Sequence, residues 1–195
     1  MDEARAYTRT IWATVCGIFA MGAAEAALAL HLDNRLLLKD ALEWSYDVAI
    51  YAAAAISFGR GDRVERLSAL AIAAVLAAAG FQGSYEVVRA IFIPPVIEPL
   101  TVGISSALII CEGIAVAAAL WRFRASRNPL IEASWLSARN DAISATLFAV
   151  VIAVARLAPA RWPQMAVDAF TAGLAFQAAW AIARDAWPRK DAPKA

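Results

Sequence analysis

Six apolar stretches, each about as long as a bilayer is thick and separated by short polar or proline-bearing connections, leave this chain little choice of fold. They cover residues 11–30, 36–58, 67–90, 100–121, 131–157 and 165–182. A hydrocarbon core about 30 Å thick takes about 20 residues of helix. Inside it, only helices and closed barrels satisfy every backbone N–H and C=O. The strict alternation of a barrel strand is absent, and alanine-rich unbroken runs favour helix. The sequence therefore predicts an all-α membrane protein of six transmembrane helices over residues 1–185, with a short polar tail, 186–195, that is expected to be disordered. Composition agrees: 62% of the 195 residues are AVILMFWYC and 18% are charged, against about a quarter charged in a soluble domain.

With 18 Lys and Arg against 17 Asp and Glu, no electrostatic footprint for a nucleic acid exists. Asp2 and Glu3 stand where a cleaved leader needs positive charge, so the first stretch reads as a span. Cys16 and Cys111 lie inside apolar runs, where a thiol behaves as a small hydrophobe. Basic residues gather at the two ends (Arg5, Arg9, Arg184, Arg189) and in the second-to-third and fourth-to-fifth connections (Arg60, Arg63, Arg66, Arg122, Arg124, Arg127). Because Lys and Arg are retained inside, both termini are predicted to be cytoplasmic, and the expected setting is a bacterial inner (plasma) membrane.

Charges at membrane depth cost about 2.5 to 3.5 kcal/mol each on insertion scales, so they default to function. This chain places Glu25 in the first span, Asp40, Glu43 and Asp47 in the second, Glu112 in the fourth, Asp141 in the fifth and Asp168 in the sixth. Glu86 stands three before Arg89 and reads as its partner. Spacing says more than number. Glu43 and Asp47 are four apart, on one helical face. Neighbouring carboxylates repel unless a divalent cation or two protons relieve them. WLSARNDAIS sets Ser137 four before Asp141 in the same way, so two helices with matching polar pairs can together offer four ligands. The plainer alternative is interhelical hydrogen bonding, worth about 0.6 kcal/mol on average; for Ser137 small-residue packing is the simpler reading. Arg139 lacks an evident counter-ion. His31, the sole histidine, reads as interfacial, and Trp44 and Trp135 as packing beside the polar pairs. No His-Glu-x-x-His or Gly-x-Ser-x-Gly motif is present, and no enzyme is expected.

LLLKDALEWSYDVA resembles the second helix of cation diffusion facilitators, where Asp-Ala-x-His/Asp-x-x-x-Asp occurs; Asp40, Ala41, Glu43 and Asp47 occupy those places. RVERLSAL resembles the entry to that family's third helix through Arg63, Glu65 and Arg66. WLSARNDAISA resembles its fifth helix, and Asp168 falls near the acidic start of its sixth. The resemblance covers the family's transmembrane domain and not its C-terminal cytoplasmic domain. It implies a proton-coupled efflux transporter of a divalent cation such as Zn²⁺, Mn²⁺ or Fe²⁺, working as a homodimer in lipid and without a prosthetic group. It further implies a metal site of Glu43, Asp47, Ser137 and Asp141, with Asp40, Glu25, Glu112 and Asp168 as proton-carrying or outer positions. Glu43 and Ser137 stand where the family carries His or Asp. Such an all-oxygen set favours Mn²⁺ or Fe²⁺, with Zn²⁺ still open. The rival expectation is a non-transporting membrane subunit that keeps the fold.

Overall fold

The computed structural model describes residues 2–93, 99–157 and 162–187, apart from the side chains at 2, 36, 39, 40, 43, 99–106, 148, 151–157 and 164. These residues form α1 (Asp2–His31), α2 (Arg35–Ser57), α3 (Asp62–Phe92), α4 (Pro99–Leu120), α5 (Pro129–Leu157) and α6 (Trp162–Ala186), with a 3₁₀ turn at Trp121–Phe123. Every predicted apolar stretch falls on one helix, running past its end by at most one residue. Most of the predicted polar tail lies outside the described residues.

Local chemistry sets the helix ends. Asn34 caps α2 by accepting from the Leu37 N–H at 2.9 Å, and Asp33 makes the turn before it with φ of +48°. Gly59 and Gly61 supply positive φ, +78° and +103°, in the short α2–α3 turn, where a β-carbon would be strained. Pro99 and Pro129 open α4 and α5, the position where a missing N–H costs nothing. Asn128 caps α5, its Oδ1 accepting from Leu130 and Ile131.

The helices alternate up and down. The first turns of α1 and α5 meet through Tyr7 and Ser134, whose hydroxyls lie 2.8 Å apart in full burial. Tyr7 also packs on Phe58 at the end of α2 and Phe123 after α4. Glu132 at the start of α5 is a charged neighbour of Arg184 and Asp185 at the end of α6. The described ends of the chain and the connections carrying Arg60, Arg63, Arg122 and Arg124 therefore share one end of the bundle. α3 packs mainly on α6, α1 on α2, and α4 on α5, while α2 also touches α4 and α5. The outer surface is apolar, with Phe19, Phe81, Phe92 and Trp180 exposed, which suits hydrocarbon and not water.

Among the described residues, three helices are long and apolar enough to cross a membrane: α1, α3 and α6, over Glu3–His31, Asp62–Phe92 and Met165–Ala186. The sequence predicts six. In α2 and α5 the side chains at 36, 39, 40 and 43 and at 148 and 151–157 lie outside the description, so neither helix is described over a full apolar span. In α4 the first turns fall among the side chains outside the description.

Candidate functional site

α2 and α5 each turn a polar stripe into the bundle. On α5 the stripe is Ser134, Ser137, Ala138, Asp141 and Ala145, of which Ser134, Ser137 and Ala138 are at most 1% exposed. On α2 Asp47 is half-buried, and Tyr51, one turn on, is completely buried. Where the stripes face, Tyr51 directs its hydroxyl at Asp141 Oδ2, 3.5 Å away. Ser137 lies beside both Tyr51 and Asp141. Asp47 and Glu112 are the charged neighbours of Asp141, and Asp47 is also the charged neighbour of Glu112.

Glu112 reaches this place because α4 and α5 approach at backbone distance. A β-carbon on Gly113 would lie 3.0 Å from Ala142 Cα and 3.2 Å from the Asp141 carbonyl carbon. Only glycine at 113 lets the α4 backbone lie on α5 here, and that sets the buried Glu112 beside Asp141.

Of the four expected ligands, Asp47, Ser137 and Asp141 are thus brought together, and the Glu43 side chain lies outside the described residues, as does that of Asp40. Among the described residues no group of three His, Cys, Asp or Glu is compact enough to hold a metal ion. The carboxylates are electrostatic neighbours rather than a closed cage.

The other acidic positions go elsewhere. Glu25 is buried between α1 and α2 and accepts from Trp44 Nε1 at 2.5 Å. Trp44, expected only to pack, is therefore a hydrogen-bond donor. Asp168 is half-buried on α6, where that helix faces Gly83 of α3, and its carbonyl accepts from Thr171. Arg139, for which an acidic partner was open, donates instead to the amide oxygens of Asn140 (3.0 Å) and Gln177 (2.6 Å). Arg89 pairs with Glu86 as expected, at 3.4 Å. Trp135 lies edge-on to Trp121 with centroids 5.4 Å apart.

Sequence reasoning missed Tyr51. The signal was there: positions 43, 47 and 51 are successive turns of one face, and a tyrosine between Ile50 and Ala52 at depth needs a partner for its hydroxyl.

Chemically, the arrangement gathers carboxylates and hydroxyls from three helices inside an apolar bundle, a set that recognises a hard or borderline cation through oxygen. The family model described as the cation efflux transmembrane domain matches residues 11–188. No curated protein is similar enough in sequence to match the chain.

Proposed function

The chain belongs to the cation efflux transmembrane domain family, whose members are membrane transporters of divalent metal cations, and from that premise we propose that it exports such a cation in exchange for protons, through an oxygen-rich site between α2 and α5. The ligands in this reading are Glu43, Asp47, Ser137 and Asp141. Glu112 stands beside them as a proton-carrying neighbour, and Glu25, Asp40 and Asp168 are outer positions. The observation that supports it is that Asp47 of α2 and Glu112 of α4 are the charged neighbours of Asp141 on α5, with Ser137 beside it.

The mechanism follows from the donor set. Carboxylates bind a cation only when deprotonated, so protons and metal compete for the same oxygens. Alternating access then needs the helices to rock, so that the site takes metal from one side and receives protons from the other. All six helices cross the bilayer in this reading, with the charged stripes of α2 and α5 shielded by their neighbours. The basic end of the bundle faces the cytoplasm, following the retention of Lys and Arg. The six-helix domain is residues 1–185 and the tail 186–195 is cytoplasmic. Two chains pair as a homodimer in a bacterial inner membrane.

The test is uptake of Zn²⁺, Mn²⁺ or Fe²⁺ into proteoliposomes under an imposed pH gradient. Flux that collapses with the gradient and in the Asp47→Ala, Asp141→Ala double variant is expected. Equal flux from wild type and double variant refutes the ligand assignment, and no flux from either leaves the non-transporting subunit.

A further inference from the structure

We propose that Tyr51 sets which cation the site accepts, by tying up one oxygen of Asp141 and so holding the number of ligands low. The inference rests on the transport reading above and adds a residue that the ligand pattern does not contain.

Tyr51 is fully buried on α2, so its hydroxyl cannot turn to water and must find a partner inside the bundle. Among the described residues its partner is Asp141 Oδ2, 3.5 Å away, with Ser137 close by. Ser137 also lies beside Asp141, so two hydroxyls from different helices stand around one carboxylate. A carboxylate free of such donors offers a cation both oxygens. One whose Oδ2 receives an O–H offers chiefly Oδ1, because a proton and a metal ion repel at the same lone pairs. The 3.5 Å separation is longer than the roughly 2.5–3.0 Å of a full O–H···O hydrogen bond. The hydroxyl therefore biases the carboxylate without locking it, as a selectivity device in a site that must also release its cargo should.

Coordination number gives the consequence. Zn²⁺ is satisfied by four ligands, whereas Mn²⁺ in an oxygen site takes six. Oxygen donors alone lean toward Mn²⁺. By subtracting one oxygen, Tyr51 pulls the site back toward Zn²⁺.

Tyr51→Phe removes the hydroxyl and keeps the ring that packs α2 against its neighbours. The experiment measures KM for Mn²⁺ and for Zn²⁺ in proteoliposomes containing wild type or Tyr51→Phe, with unchanged gel-filtration elution as the check on folding. The ratio of KM for Mn²⁺ to KM for Zn²⁺ is expected to fall about fivefold, the effect of one ordinary hydrogen bond, because this one is too long for the full strength of a charged acceptor. A fall of less than threefold, or an equal loss for both cations, overturns the proposal, because a merely structural tyrosine would not discriminate between them. Tyr51→Met also lacks the hydroxyl and serves, with the same expectation, if the Phe variant does not assemble. Asp141→Ala separates the two failures. If wild type transports, Asp141→Ala does not, and the ratio stays put, the role of Tyr51 falls alone. If Asp141→Ala transports like wild type, the site reading falls with it.

Discussion

Gly113→Ala puts the positioning of the site under direct strain. The added methyl would sit 3.0 Å from Ala142 Cα, 3.1 Å from the Ala142 nitrogen and 3.2 Å from the Asp141 carbonyl carbon. All three are backbone atoms of α5, so no side chain can swing aside. To reach ordinary contact the two helices must separate by about half an ångström, and overpacking of this kind costs about 1 to 3 kcal/mol. Against that, alanine in a helix interior gains about 0.8 to 1.0 kcal/mol over glycine. Gly173→Ala isolates the collision, because it lies in the interior of α6 and its β-carbon would meet nothing within 4 Å. Both variants gain the same backbone term, so their difference reads the collision alone. The assay is unfolding in detergent followed by far-ultraviolet circular dichroism. Gly113→Ala should come out about 1 to 3 kcal/mol less stable than Gly173→Ala, with a raised KM for metal as Glu112 retreats from Asp141. Equal stability of the two variants would show that α4 does not press on α5 at this point.

Two further substitutions probe the scaffold. Trp44→Phe deletes the N–H that Glu25 accepts in full burial; the expected loss is about 1 to 3 kcal/mol in the same unfolding assay, whereas a surface-like change under 0.5 kcal/mol would contradict the contact. Glu65 accepts from the Gly59 N–H at 2.7 Å and from Asn128 Nδ2, joining the α2–α3 turn to the cap of α5. Glu65→Ala and Asn128→Ala should each destabilise by about 1 kcal/mol or more, and a double-mutant cycle should show coupling above about 0.5 kcal/mol; strictly additive losses would mean the two turns are independent.

Much of the architecture was legible because hydrocarbon forces it: long apolar runs must close their own backbone hydrogen bonds, so 11–30 or 131–157 could hardly be anything but helix. Punctuation was legible too, since Gly59, Gly61, Pro99 and Pro129 do at their positions what their covalent chemistry requires. Matched spacing on two helices was the reason to look for Asp47 near Asp141, and Asp47 is a charged neighbour of Asp141. What escaped was information that exists only between helices. Gly113 looks like any glycine in an apolar run until α5 lies on it. Nothing along the chain says that Arg139 finds Gln177, thirty-eight residues on, rather than a carboxylate. Trp44 read as packing because its ring is apolar, and its N–H became visible only with Glu25 opposite. Tyr51 was passed over because a search for charges ignores hydroxyls. Length and hydropathy single out α1, α3 and α6 among the described residues, because stretches of side chains in α2, α4 and α5 lie outside the description.

Calorimetric titration of the purified protein with Mn²⁺ tests most directly whether Asp47 and Asp141 hold one ion between them. The account predicts a single saturable site per chain. Asp47→Ala and Asp141→Ala should each weaken it by more than tenfold, and the double variant should lose little beyond either single one, since half a shared site is no site. Separate sites that survive in the single variants and vanish only one by one would contradict it.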